Sequence, residues 1–265
     1  MGTAQPGSGD ALMVVRGAAD VSFLLVDGYD ILGTVTELND KQYALTEETH
    51  ALGDAYVENS FVGIRRAEIT QQGFYDDAAG SVHAALATGP GNSSRVLCYG
   101  PEGTATGANF KGMVAVQVDY SVEPGRAVLH KANAMYHTNG RFDQGKILYT
   151  HKASAGTSAE TGNAVQRVDA SGVASTVSST GGGAGYFQLS AFTSGALATA
   201  IQSRIQHSSD NITYADLITF TSATAAPFAQ RATVAGGVEA FLRMASSFQG
   251  GASAQMTGFW GFARY

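Results

Sequence analysis

The stretch from Phe23 to Asp77 constrains the fold of this chain more than any other segment. Its first residues belong to a strongly apolar run, Val21–Val26, which is followed by the turn-forming residues Asp27-Gly28-Tyr29-Asp30. Asp and Gly tolerate the backbone angles that tight turns require. The next run, Ile31–Leu38, alternates as a strand with two distinct faces does. The segment therefore predicts a strand, a tight turn and a second strand.

Between Asn39 and Ser60 the sequence loses this period and mixes charged residues with aromatic and aliphatic ones. A loop of this length inside a compact domain is uncommon unless it is functional or disordered. The segment is too apolar for pure disorder, so we predict a loop that docks on a surface outside its own domain. The alternative is a lid that folds onto its own domain. The contact residues that we expect in this loop are Asp40, Lys41, Tyr43, Leu45, Glu47, Glu48, His50, Leu52, Asp54 and Tyr56.

Strand alternation resumes in Phe61–Gln71, and a helix is predicted over Ala78–Ala87. Asp76 or Asp77 would cap this helix, because a carboxylate there accepts hydrogen bonds from the first-turn amides and complements the helix dipole. Turn signals such as Asn139-Gly140 separate the strands that follow. These strands are Arg95–Tyr99, Met113–Val122, Arg126–His137 and Lys146–His151.

Composition and spacing divide the chain into four parts. Residues 1–19 form an arm rich in Gly and Ala, and residues 20–151 a sheet-dominated domain with one short helix. Residues 152–185 are mostly Ser, Thr, Ala and Gly, as in a linker or in edge strands. About six short strands in 186–265 have the spacing of a β-sandwich. We therefore predict a mainly β protein: a β-sandwich fold with one short helix, plus a second small β-sandwich domain.

Charged residues make up 14% of the 265 residues, against about 25% in an average soluble domain. So few charges suit a surface that neighbouring copies cover, although an ordinary β-sandwich monomer is the alternative. The first 150 residues hold 17 acidic and 10 basic side chains, and the remainder hold 5 and 6. An acidic first half argues against tight phosphate binding. It suits a channel of negative potential that weakly repels DNA and lets it slide.

No pattern in the sequence indicates catalysis or metal binding. The six histidines form no HxH or HExxH, and no GxSxG, P-loop or GxGxxG occurs. Paired acids such as Glu47-Glu48 are usually solvated. Cys98 is the only cysteine, which excludes a disulfide within the chain and a cysteine-based metal cluster. We expect no catalytic, cofactor-binding or metal residue, no enzymatic activity, no membrane span, no secretion signal, and synthesis in a reducing cytoplasm.

Two features of residues 186–265 allow a second interpretation. Asp210 and Asp216 flank a predicted hairpin, but their spacing matches no calcium loop, so Asp210-Asn211 is better explained as a turn. Aromatic residues could form a sugar-stacking platform, but their alternation favours core packing. These residues are Tyr186, Phe187, Tyr214, Phe220 and Trp260.

Three features within residues 20–151 resemble the major tail (tail tube) proteins of long-tailed, siphovirus-like bacteriophages. They are the VDGYD turn, the acidic loop around THALGD and the strand-to-helix junction EITQQGFYDDAAGSVHAAL. The resemblance implies a β-sandwich whose sheets line a tube, a flanking helix, and six-membered rings stacked head to tail. It also implies that the long loop reaches the neighbouring ring and that DNA passes through the bore.

The same resemblance implies a location in the virion tail, after assembly in the host cytoplasm. The implied partners are copies of the chain itself and other tail proteins, such as the tape measure and the tail terminator. The runs IQHSSDNITYADLITF, VEAFLRM and FWGFARY look like small modules appended to phage tail proteins. Two alternatives remain open: a capsid decoration or other virion structural protein, and a carbohydrate-binding or adhesion module in residues 186–265.

Overall fold

A computed structural model describes residues 23–31, 34–49, 59–77, 82–124, 129–155, 159–167, 174–194, 199–250 and 254–265. Strands dominate these ranges, which confirms the mainly β fold. The strands of the first half are β1 (Phe23–Val26), β2 (Tyr29–Asp30), β3 (Val35–Thr49), β4 (Asn59–Phe74), β5 (Arg95–Gly100), β6 (Asn109–Glu123) and β7 (Lys131–Ala155), with helix α1 (Val82–Leu86) between β4 and β5. The later strands are β8 (Ala159–Thr161), β9 (Val165–Gln166), β10 (Gly183–Ser194), β11 (Ala200–Ser208), β12 (Ala215–Thr219), β13 (Phe228–Val234), β14 (Phe241–Gln249) and β15 (Ala254–Arg264).

The larger sheet is built around β7. Its strand order is β13-β10-β15-β7-β6-β5-β1-β2, and the β3–β4 hairpin joins through β4. The first half of β7 pairs with β4, and its second half pairs with β15. Strand β6 lies along the opposite edge of β7. The hairpin and β15 are therefore successive neighbours along a single strand.

The length of β7 corrects one prediction. The sequence predicted two strands separated by a turn at Asn139-Gly140, but β7 is continuous through both residues. Gly140 has φ +107°, and the β6–β7 register slips here, since Ala115 faces Thr138 whereas Met113 faces Phe142. A glycine with positive φ fits a β-bulge as well as a turn. The residues Asn139-Gly140 are therefore compatible with either structure.

The smaller sheet has the order β12-β11-β14-β8, and β9 also pairs with β14. It packs on β10 and β15 of the larger sheet through one apolar cluster, which includes Phe187 and Trp260. The other face of β10 and β15 carries Tyr186 and Phe259, which pack against β1, β5 and β6. Both faces of these two strands are thus buried.

The larger sheet curls until its two ends meet. The backbone N–H of Gly28, in the β1–β2 turn, donates to Oε1 of Gln188 on β10 at 2.8 Å. Gly28 has φ +86°, and a Cβ there would lie 2.7 Å from the carbonyl oxygen of Leu189. A glycine is needed because the turn seats directly on the backbone of β10.

The two predicted domains share this sheet. The β7–β15 ladder joins strands of 20–151 to strands of 186–265, and β10 and β13 continue the same sheet. The predicted linker, 152–185, supplies the end of β7 and the edge strands β8 and β9. The division into domains stays a prediction, and the arm at 1–19 lies outside the described residues.

Helix α1 packs against the larger sheet through its buried side chains Val82, Ala85 and Leu86. Its predicted first residues, 78–81, lie outside the described ranges. The backbone carbonyl of Asp76 accepts a hydrogen bond from the N–H of His83 at 3.0 Å. Capping by the carboxylates of Asp76 and Asp77 stays a prediction.

Candidate assembly surface

The segment predicted as a loop is largely a β-hairpin. Strands β3 and β4 pair from Val35 opposite Gly73 to Thr49 opposite Asn59. Residues 39–49 and 59–60 are therefore strand, and the loop prediction is wrong for them. The alternation was missed because Glu37, Asn39 and Lys41 are exposed and their inward neighbours are partly polar, so the two faces of the ribbon differ little in polarity.

The far part of the hairpin extends beyond the sheet as a two-stranded ribbon. Strand β4 pairs with β7 only from Glu68 to Phe74, whereas its residues 59–67 pair with β3 alone among the described strands. The nine residues from Lys41, opposite Glu68, to Thr49 span about 27 Å, because each step along the strand rises about 3.4 Å. An isolated two-stranded ribbon is marginally stable in water, and its unpaired edge is a template for another chain.

The predicted contact residues divide along this ribbon. Asp40 forms an ion pair with Lys111 of β6, which ties the base of the ribbon to its own subunit. The ammonium group of Lys41 lies 5.2 Å from the centre of the Tyr43 ring. Leu45, Glu47 and Glu48 belong to β3, and the structure describes their backbone alone. His50, Leu52, Asp54 and Tyr56 lie outside the described residues.

A polar face covers one side of the sheet formed by β3, β4, β7 and β6. The strand registers place the following side chains on this face, opposite the apolar cluster under α1: Glu37, Asn39, Lys41, Glu68, Thr70, Gln72, Asp119, Ser121, Glu123, Lys131, Asn133, Met135 and His137. Four of them are carboxylates and two are lysines. The face is thus wide, half-exposed to exposed, and acidic on balance.

A basic cleft lies where β6, β7 and β15 of the larger sheet approach β9 and β14 of the smaller one. Its volume is about 400 Å³. The charged side chains that line it are Lys111, Lys146, Arg167, Arg264 and Glu102. Sequence reasoning missed this cleft, because its cations come from four separate segments and no local motif connects them.

The side chain of Asp210 is bound within its own turn. The carboxylate of Asp210 accepts hydrogen bonds from the backbone N–H groups of Ile212 and Thr213, each at 2.9 Å, and from the hydroxyl of Ser208 at 2.8 Å. These bonds lower the pKa of Asp210 from 3.8 to about 2 and support the predicted turn. Within the described ranges, no three His, Cys, Asp or Glu side chains lie close enough to hold a metal ion.

Core packing of the aromatic residues is confirmed for four of the five. Tyr186, Phe187, Phe220 and Trp260 are almost completely buried. Tyr214 is half-buried, and the guanidinium of Arg243 lies 3.7 Å from its ring centre. Among the residues with described placement, no helix is long and apolar enough to span a membrane.

No protein-family model matches this chain, and no curated protein matches it either. Solved structures do match. One is the tail of an empty GTA particle with C6 symmetry, at 11% identity and TM-score 0.34, covering 41% of this chain and 80% of that one. Another is the virion of a native gene transfer agent particle, at 11% identity and TM-score 0.38, covering 48% and 95%.

A third similar structure is the SPP1 Dit protein, described as a paradigm of the hub adsorption apparatus in phages that infect Gram-positive hosts. It is 10% identical, with TM-score 0.32, and covers 90% of this chain and 99% of that one. With TM-scores below 0.4, these likenesses fix neither a family nor an activity. The structures to which this chain is similar are components of tails and virions.

Proposed function

We propose that this chain is a structural protein of a virion tail that polymerises as stacked rings into a tail tube. The β3–β4 ribbon carries the proposal, because it extends about 27 Å beyond the last sheet pairing of β4. A ribbon of that length needs a neighbour for lasting order, since two strands alone are marginal. A second copy of the chain is the simplest neighbour. A ribbon that projects along the axis of a tube would contact a subunit of the next ring, and this contact would stack the rings.

The polar face supplies the other requirement of a tube. A bore that passes DNA needs a wall that does not bind phosphate tightly. Four carboxylates and two lysines on the face of β3, β4, β7 and β6 give a weakly repulsive surface for a polyanion. The negative bore thus remains our prediction, and this face is our candidate for its wall.

Rings of six, association with tape-measure and tail-terminator proteins, a virion location and the absence of enzymatic activity belong to the same proposal. They rest on the sequence resemblance. The carbohydrate-binding alternative is weakened by the burial of Tyr186, Phe187, Phe220 and Trp260, which leaves no broad aromatic platform on the described surface of residues 186–265.

The test compares the intact chain with a variant whose ribbon is shortened. Ala44 and Arg65 face each other, so an Asn-Gly pair can replace residues 45–64 and close a two-residue hairpin. This variant keeps the Asp40–Lys111 ion pair and the β4–β7 ladder. Circular dichroism and the emission of Trp260 verify its fold, and Ile212→Ser, at an exposed side chain in the turn between β11 and β12, serves as control.

Negative-stain microscopy gives the readout. The intact chain and Ile212→Ser should form tubes with a central bore, whereas the folded short-ribbon variant should form no long tubes. Tubes of normal length from that variant would show that the ribbon does not stack rings. Icosahedral lattices from the intact chain would favour a head protein instead.

A further inference from the structure

The basic cleft holds more positive than negative charge among the described residues. Lys111 is paired with Asp40, which leaves Lys146, Arg167 and Arg264 against two carboxylates: Glu102 in the lining and Glu239, whose charge acts on Arg264. The whole chain has a formal net charge of −6. A concentration of cations in one cleft of an acidic protein is a site for an anionic partner.

Two of these cations are held in place by the backbone. The guanidinium of Arg264 donates to the carbonyl oxygens of Val238 at 2.8 Å and of Glu239 at 2.5 Å. Arg167 donates to the carbonyl oxygen of Val177 at 2.7 Å. Bonds to neutral carbonyls position a guanidinium without neutralising it. Burial and then the nearby charge of Arg167 lower the pKa of Arg264 to about 10, and the charge of Glu239 acts in the opposite direction.

The anionic partner that this chain itself offers is the end of the ribbon. Residues 44–58 contain four carboxylates and no Lys or Arg, together with Leu45, Leu52 and Tyr56. The cleft combines its cations with apolar wall residues, Phe110, Leu242 and Phe262. Acidic and apolar side chains in one short segment thus match the cationic and apolar surfaces of the cleft.

The ribbon of the same subunit cannot supply this partner. Asp40 at its base contacts Lys111, which lines the cleft. The ten residues from Asp40 to Thr49 pair with β4 except at Leu45, where the register shifts, and they span about 30 Å in the extended conformation. The end of the ribbon is therefore carried away from its own cleft, and a second copy must provide it.

We propose that the cleft lined by Lys146, Arg167 and Arg264 receives the acidic end of a second copy's β3–β4 ribbon, the segment that contains Glu47 and Glu48. This contact deepens the proposed function and rests on it as the receiving site for stacking. Because the donor end and the receiving cleft are different surfaces, the contact is heterologous and repeats from one copy to the next. Repetition along one axis produces a filament.

Cross-linking between two singly substituted proteins tests the contact without requiring tubes. Glu47→Cys and Lys146→Cys chains are mixed and treated with a short bismaleimide; Glu47→Cys mixed with Arg204→Cys is the control, since Arg204 lies on the smaller sheet outside the cleft. Cys98 is buried, and burial raises the pKa of its thiol, so it does not compete. We expect about tenfold more cross-linked dimer from the first pair, the ratio that corresponds to about 1.4 kcal/mol.

Charge reversal provides the second readout. Lys146→Glu with Arg167→Glu should abolish tubes, and adding Glu47→Lys with Glu48→Lys in the same chain should restore them, whereas Arg204→Glu should leave tubes unchanged. Tubes without selective cross-linking would overturn the cleft contact and leave the proposed function standing. Selective cross-linking without tubes would support the cleft contact and contradict the proposed tail tube. Tubes that survive reversal would assign the cleft to another anion or to none, and overturn the proposal.

Discussion

The carboxylate of Asp143 on β7 accepts a hydrogen bond from the phenol of Tyr186 on β10 at 2.5 Å. The same carboxylate oxygen accepts from the guanidinium of Arg231 on β13 at 2.7 Å. Asp143 is completely buried. Burial, and then the charge of Asp143, raise the pKa of Tyr186, so the phenol remains a donor. This group links a strand of the predicted first domain to two strands of the second.

Replacing Asp143 with Asn should strongly destabilise the protein. The substitution leaves Arg231, whose side chain is 17% exposed, without its carboxylate, and removing one partner of a buried ion pair costs about 3 kcal/mol or more. Urea unfolding measures the change. Asp216→Asn is the matched control, since the Arg204–Asp216 pair is 35% and 41% exposed and should lose less than about 1 kcal/mol. Equal losses would show that burial does not set the strength of the Asp143 contact.

Replacing Gly28 with Ala should cost more than replacing Gly91 with Ala. Both glycines have left-handed backbones, with φ +86° and +85°, but a Cβ at Gly28 would meet backbone atoms of Leu189 and Phe228 at 2.7 Å, whereas nothing lies within 4 Å at Gly91. Backbone strain alone costs about 1 kcal/mol, and the added clash should bring Gly28→Ala to about 3 kcal/mol. Thermal unfolding of the two variants gives the comparison. Similar losses would mean that the β1–β2 turn does not seat on β10.

Replacing Phe187 with Ala should cost about 3 to 5 kcal/mol, because it opens a cavity in the core between the sheets. Phe187 stacks on Trp260 with ring centres 5.0 Å apart, and both are fully buried. Trp260 is the only tryptophan, so its emission should move to longer wavelength as water gains access. Phe192→Ala, at a partly buried position on the margin of the same cluster, should cost less and leave the emission nearly unchanged. An unchanged emission in Phe187→Ala would contradict the stacked arrangement.

The carboxylate of Asp210 should stabilise the folded protein near neutral pH and lose this effect in acid. Its pKa is lowered from 3.8 to about 2 by backbone and hydroxyl donors, so the contribution of the carboxylate is present above the unfolded pKa and is lost as pH falls through the folded one. The difference in Tm between the wild type and Asp210→Ala should stay constant near neutral pH and shrink between pH 3.8 and about 2. Ser209→Ala, in the same turn without a carboxylate, should show a difference independent of pH. A constant difference for Asp210→Ala down to pH 2 would refute the hydrogen-bonded carboxylate.

Much of the secondary structure follows from local signals. The turn at Asp27-Gly28 was predicted, and so were about six short strands in residues 186–265, where the structure has β10 to β15. The errors lie where local signals are ambiguous. Asn139-Gly140 has the residues of a turn but forms a bulge, and residues 39–49 show little contrast in polarity between alternate positions of the sequence.

The sequence by itself determined that this is a strand-rich chain with few charges, an acidic first half and no motif for catalysis, because propensity, turn chemistry and charge are local or additive properties. The tertiary structure alone decided how those parts combine. It placed strands of both predicted domains in one sheet, buried Asp143 against Arg231, extended β3 and β4 beyond the β4–β7 ladder, and assembled a basic cleft from Lys146, Arg167 and Arg264. Each of these features joins residues far apart in the chain, and no local pattern specifies which distant strands will pair.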